Sequence, residues 1–184
     1  MSDPRRFAMA VDTHTCVGCT ACVLACKAEN DVPEGFARDW ITTQVTGSFP
    51  NLHMTIQSER CNHCEDAPCV SVCPTGASFI GPGGTVLVDA DKCTGCKACI
   101  AACPYNARFV DPGSGTVDKC TFCVHRLGED GVHTTACQDV CPTESIYFGD
   151  LNDPDSDIVR ILKEREHYTL IPEAGTKPRH YFLK

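Results

Sequence analysis

Short runs of alternating character, separated by turns, organise the chain. Residues 7 to 12, Phe7-Ala8-Met9-Ala10-Val11-Asp12, alternate larger side chains with alanines, the pattern of a half-buried edge strand. Leu52-His53-Met54-Thr55-Ile56-Gln57 alternates in the same way. Between them, residues 31–50 hold Pro33, Gly35, Gly47 and Pro50 around Trp40, Ile41 and Val45, and read as an insertion with one short strand. Trp40 either packs on the domain or meets a partner. Phe79-Ile80 and Val86-Leu87-Val88 flank Gly81-Pro82-Gly83-Gly84, a hairpin by composition, and Phe109-Val110 and Thr116-Val117 flank a second, at Asp111-Pro112-Gly113-Ser114-Gly115. Ile146-Tyr147-Phe148 adds a strand, and residues 149–155 form a turn-rich linker. Ser156-Asp157 can cap a helix from Ile158 to about Glu166, with Ile158, Ile161 and Leu162 on its apolar face. The apolar-aromatic tail at residues 176–183 either returns as a strand or docks on another protein.

Cysteine fills the gaps between these elements. The chain has 184 residues and 16 cysteines, far beyond ordinary globular usage. They fall into four groups of four. Cys16, Cys19, Cys22 and Cys26 are spaced C-x2-C-x2-C-x3-C; Cys61, Cys64, Cys69 and Cys73 are spaced C-x2-C-x4-C-x3-C-P. Cys93, Cys96, Cys99 and Cys103 are spaced C-x2-C-x2-C-x3-C-P; Cys120, Cys123, Cys137 and Cys141 are spaced C-x2-C-x13-C-x3-C-P. The third group matches the bacterial two-cluster ferredoxin run, proline included. A cubane needs four thiolates at tetrahedral corners. A tight loop with cysteines three apart wraps three of them, and its N–H groups can point at sulfur. The fourth cysteine, expected at the start of a short helix, ligates the neighbouring cluster in ferredoxins. Gly18 and Gly95 relieve crowding inside their loops. Lys27 stands where the other groups have Pro74, Pro104 and Pro142, so a helix through Cys22 and Cys26 can run on to Glu29. Structural zinc also uses paired C-x2-C elements, but has no need of the third and fourth cysteines at these spacings. A disulfide scaffold is disfavoured by cysteines so close together in sequence.

Composition narrows the functions available. The formal charge is −8, and thiolate-bound clusters would make it more negative, which opposes nucleic-acid binding and permits docking on proteins. No window of 18 apolar residues occurs, so no membrane span is expected, and no signal peptide is expected from the first fifteen residues. Lys92, Lys97 and Lys119 adjoin cysteines and either raise cluster potentials or merely offset local charge. His63 is not needed as a ligand but could donate to a cluster sulfur; His125, Arg126 and Asp130-Gly131 lie in a charged excursion that is either a solvated loop or a partner surface. No catalytic constellation, P-loop or dinucleotide fingerprint occurs, so the chain is expected not to be an enzyme by itself.

The stretches CNHCEDAPCVSVCPTGA, KCTGCKACIAACPYNAR and KCTFCVHR, with the tail GDLNDPDSD and GTKPRHYFL, resemble the four-cluster iron–sulfur subunits of membrane-bound molybdopterin oxidoreductases, polysulfide-reductase-like members above all. The resemblance implies an α+β fold of two nested ferredoxin-like two-cluster units. Residues 1–30 with 111–150 would form the outer unit and residues 51–110 the inner one. Residues 31–50 would be an insertion, and residues 151–184 a linker, short helix and docking tail. It implies four 4Fe–4S clusters bound through iron. Cluster 1 would take Cys16, Cys19, Cys22 and Cys141; cluster 2, Cys93, Cys96, Cys99 and Cys73; cluster 3, Cys61, Cys64, Cys69 and Cys103; cluster 4, Cys120, Cys123, Cys137 and Cys26. Electrons would pass singly along the order 1, 2, 3, 4. Cluster 1 would face a molybdenum or tungsten bis-pterin-guanine-dinucleotide catalytic subunit, and cluster 4 an integral membrane subunit handling quinone or quinol. The chain would be peripheral to the membrane, on either face. A free polyferredoxin shuttling between enzymes and a structural or assembly protein are the competing readings.

Overall fold

The computed structural model describes residues 5–128 and 133–184; Asp130-Gly131 of the expected excursion lie outside them. One four-stranded sheet ties distant parts of the chain together. β1 (Phe7–Asp12) pairs antiparallel with β8 (Ile146–Asp150) and parallel with β10 (His180–Leu183), and β9 (His167–Tyr168) closes the other edge of β10. β1 is therefore not the expected edge strand. All six of its residues are buried, because alanine at positions 8 and 10 lets α5 (Asp157–Glu164) close over one face while Phe7, Met9 and Val11 join the main core on the other. Ile158 of α5 is fully buried against Ala8, Ala10 and Leu183. Gly149 permits this approach, since a Cβ there would lie 2.2 Å from Ser156 Oγ.

The insertion expected at residues 31–50 is larger than one strand. β2 (Asp39–Ser48) and β3 (Asn51–Arg60) form a ten-residue-per-arm hairpin turning at Phe49-Pro50, so the boundary drawn at residue 50 cuts through a single element. The polar turn-forming residues at its tip hid the pairing. The two short hairpins form as read, from β4 (Ser78–Ile80) with β5 (Val86–Val88), and β6 (Phe109–Val110) with β7 (Val117–Asp118).

The helices stand between the cysteines. α1 (Ala21–Glu29) carries Cys22 and Cys26 and packs on α4 (Ala136–Asp139); α2 (Pro68–Ser71) packs on α3 (Ala98–Ala101). The third cysteines Cys69, Cys99 and Cys137 lie inside α2, α3 and α4, and the fourth cysteines Cys73, Cys103 and Cys141 follow two residues after those helices end. The expectation of a fourth cysteine opening a helix is thus reversed. Pro74, Pro104 and Pro142 occupy the chain bend after it.

The tail is an internal element, not a projecting one. Residues 176–179 run along the loop of the second cysteine group: Glu65 N–H donates to Lys177 O (3.0 Å), Asp66 N–H to Thr176 O (3.1 Å) and Arg179 N–H to Asn62 O (2.9 Å). The buried Arg179 guanidinium clamps His63 O and Gly83 O (both 2.8 Å) together with Gly84 O. Phe182 and Leu183 are fully buried. Phe182→Ala should cost about 3–5 kcal/mol, measured by denaturant unfolding of the loaded protein. A tail held in reserve for another subunit would give a change near zero.

Candidate functional site

The four cysteine groups share one backbone device. The second residue between the first two cysteines has positive φ in every group: Gly18 (67°), His63 (42°), Gly95 (66°) and Phe122 (54°). Glycine adopts this freely, whereas His63 and Phe122 are strained there, typically by about 1–3 kcal/mol each. These two rings stack on one another with centroids 3.7 Å apart, which joins the second and fourth loops.

Sulfurs gather in fours across group boundaries. Cys16, Cys19, Cys22 and Cys141 line one pocket. Cys26, Cys120, Cys123 and Cys137 line a second, and Cys73, Cys93, Cys96 and Cys99 a third. Cys64 and Cys69 share Cys61 and Cys103 as thiol neighbours. Among the described residues, no three Cys, His, Asp or Glu side chains converge as a single metal ion would require. Four sulfurs spread around such a cavity suit a polynuclear iron–sulfur cage better than one tetrahedral ion.

Burial pushes the thiols of Cys64 up to about 11 and Cys120 up to about 12, and those of Cys22, Cys26, Cys69 and Cys123 upward as well. Cys73 is instead brought down to about 7, chiefly because Ser78 N–H donates to its sulfur at 3.4 Å. Burial raises the Cys141 pKa, but Ser145 N–H (3.3 Å) and Thr143 bring it below the ordinary value. Binding metal therefore means releasing protons from buried sulfur.

Buried cations lie between these sets and reveal their order. Arg60 Nη1 donates to Cys137 Sγ at 2.9 Å, and its Nη2 donates to Ser58 Oγ, which lies 3.5 Å from Cys22 Sγ. Lys119 donates to Val86 O and Cys120 O, with Cys61 and Cys69 also around it. Arg108 Nη2 donates to Cys69 Sγ at 2.9 Å and Nη1 to Ser78 Oγ at 3.0 Å, while Ser78 N–H reaches Cys73 Sγ. The sets assigned to clusters 1, 4, 3 and 2 thus follow one another in that order. This order differs from the expected 1, 2, 3, 4 and puts the set assigned to cluster 4 inside the row. That set is enclosed, with all four cysteines buried, whereas Cys19 and Cys96 of the terminal sets are exposed.

Several other expectations change. His63 Nδ1 accepts Val86 N–H at 3.0 Å, so the ring hydrogen sits on its buried Nε2, which no described protein atom accepts. Lys92 and Lys97 are exposed, and Lys92 pairs with Asp89 at 2.8 Å, so of the three lysines only Lys119 enters the interior. His125 and Arg126 are tied to Glu29 (2.7 and 2.6 Å), and Arg126 also to Asp139. Trp40 packs against the core. Arg60 and Arg108 were missed. Arg60 directly precedes Cys61, as Lys92 and Lys119 precede Cys93 and Cys120, and that shared position was the available signal.

An α+β chain with sulfurs gathered in fours is, by class, a ferredoxin-type iron–sulfur protein. Residues 52–151 match a 4Fe-4S dicluster domain family, and residues 15–78 match another of the same description. The chain is 45% identical to the Haemophilus influenzae protein NrfC homolog, over 98% of this chain and 80% of that protein. It is 43% identical to the thiosulfate reductase electron transfer subunit PhsB of Salmonella typhi, over 89% and 84%. It is 36% identical to the arsenate respiratory reductase iron–sulfur subunit ArrB of a Shewanella species, over 97% and 96%. The chain belongs to the family of iron–sulfur electron-transfer subunits of molybdopterin oxidoreductases. It relays electrons and is not the catalytic subunit.

During gradual iron removal by a chelator under anaerobic conditions, alkylation should mark Cys19 and Cys96 first and Cys26 and Cys120 last. Peptide mass spectrometry reads the order; labelling of Cys120 ahead of Cys19 would contradict the enclosure of the inner sets.

Proposed function

We propose that the chain holds four 4Fe–4S clusters and carries single electrons between a molybdopterin catalytic subunit at one end and a quinone- or quinol-handling membrane subunit at the other. Cluster 1 is held by Cys16, Cys19, Cys22 and Cys141; cluster 4 by Cys26, Cys120, Cys123 and Cys137; cluster 3 by Cys61, Cys64, Cys69 and Cys103; cluster 2 by Cys73, Cys93, Cys96 and Cys99. The second and third cysteine groups then form an inner two-cluster unit nested within an outer one. Each cluster supplies a one-electron couple without proton transfer. The protein fixes the spacing, excludes water from the inner sets and supplies compensating charge.

The observation that carries this reading is the row of four sulfur sets with an exposed cysteine at each end. Apolar surface accompanies both ends. The face of the β2–β3 hairpin that covers Gly18 through Ile41 and Ile56 continues outward into exposed Val45, Leu52 and Met54. We assign the catalytic subunit to this end. Exposed Val72, Phe79 and Ile80 lie in the elements around Cys73, and the membrane subunit is assigned there, next to cluster 2. Among the described residues no helix is long and apolar enough to cross a membrane, so attachment runs through that partner. The relatives' names span sulfite, thiosulfate, arsenate and dimethyl sulfoxide chemistry, and what this chain has in common with them is the electron-transfer role.

Anaerobically prepared protein should contain about sixteen iron and about sixteen acid-labile sulfide per chain. Zinc without sulfide would refute the assignment. Cys26→Ala should remove the EPR signal of the Cys120/Cys123/Cys137 cluster and spare that of the Cys16/Cys19/Cys22 cluster; the opposite pattern would refute crossed ligation. Gentle extraction should recover the chain with two further subunits, whereas a redox-active monomer would favour a free polyferredoxin.

A further inference from the structure

Two arginines in this chain are built into the same device at different places. Arg60 is 1% exposed and Arg108 is 5% exposed. Each donates one terminal nitrogen to a cysteine sulfur of an inner set at 2.9 Å: Arg60 to Cys137 and Arg108 to Cys69. Each donates its other terminal nitrogen to a serine hydroxyl, Ser58 or Ser78. Each serine in turn reaches a sulfur of the adjoining terminal set. Ser58 Oγ lies 3.5 Å from Cys22 Sγ, and having accepted from Arg60 it has its own hydrogen to donate. Ser78 N–H donates to Cys73 Sγ at 3.4 Å. The serine therefore fixes the plane of the guanidinium and aims its second nitrogen at the inner sulfur.

The two sites arise from unrelated stretches of sequence, one at the end of β3 and one before β6. Sixteen thiolates alone do not require a charged donor at these two sulfurs, because Cys120, Cys93 and Cys141 accept backbone N–H groups at 3.3–3.5 Å instead. A hydrogen bond from a cation is stronger than one from a neutral donor and lowers the cost of added negative charge on the sulfur. Asp39, 4.0 Å from Arg60 Nη2, offsets part of that charge from the far side.

Resting on the ligand sets given above, we propose that Arg60 and Arg108 are positioning charges that raise the reduction potentials of clusters 4 and 3 above those of their terminal neighbours, clusters 1 and 2. The interior of the row then holds electrons more firmly than either end.

The test is a redox titration of the intact complex followed by EPR, with the cluster-4 and cluster-3 signals assigned beforehand through Cys137→Ser and Cys69→Ser. Arg60→Gln is expected to weaken reduction of cluster 4, and Arg108→Gln that of cluster 3, by tenfold or more. For a one-electron couple this is a fall of about 59 mV. Arg60→Lys and Arg108→Lys, which retain the charge but not the two-pronged hydrogen bonding, should recover part of the difference. The proposal is overturned if iron and sulfide content is complete and the inner couples stay put, if the larger fall appears in cluster 1 or 2, or if the lysine variants fall as far as the glutamine ones. Where a glutamine variant does not retain iron, Ser58→Ala and Ser78→Ala decide. They keep the charge but release the guanidinium, so an inner couple that does not move again overturns the proposal. Wild-type protein with fewer than four clusters refutes the ligand sets themselves, a separate result.

Discussion

Concentrated negative charge in a small interior is the constraint that shapes this molecule. With the proposed ligand sets, sixteen cysteine sulfurs act as thiolates in a chain of 184 residues that already carries a formal charge of −8. Burial favours the neutral thiol, as the raised pKa values of Cys64 and Cys120 record. The fold answers with Arg60, Lys119 and Arg108, each almost wholly buried and each set between two sulfur sets. Isolated buried cations would be strongly unfavourable; here each has sulfur or carbonyl acceptors waiting. Sulfur sets and cations thus stabilise one another in the interior.

The remaining architecture holds the row in place from outside. The sheet β8-β1-β10-β9 fastens the first and last parts of the described chain to each other. Arg179, arriving with the tail, ties the second cysteine loop to the turn at Gly83 and Gly84. The His63–Phe122 stack joins the second and fourth loops where the first and third use glycine. Strain at those two backbone positions is offset by an aromatic contact that glycine could not make.

The cysteine groups were legible because their chemistry is local: three sulfurs within a few residues define a loop whatever surrounds it. The short hairpins at Gly81-Pro82-Gly83-Gly84 and Asp111-Pro112-Gly113-Ser114-Gly115 were legible for the same reason. Relations between loops were not. The order of the sulfur sets depends on Arg60, Lys119 and Arg108 meeting residues up to 77 positions away. β1 looked half-buried because Ala8 and Ala10 resemble solvent-facing positions in an alternating pattern. They are small because α5 and β10 press against them. The long hairpin was obscured because most of its outer half faces solvent and carries no core pattern.

The placement of β10 bears on how the protein is made. β1, near the start, cannot be covered on both edges until residues 180–183 have been synthesised and threaded beside it in parallel. A nascent chain leaving the ribosome therefore exposes Met9 and Val11 throughout translation, together with thiols that will later be enclosed. The parallel pairing of β1 with β10 can therefore close only after the rest of the described chain has been made.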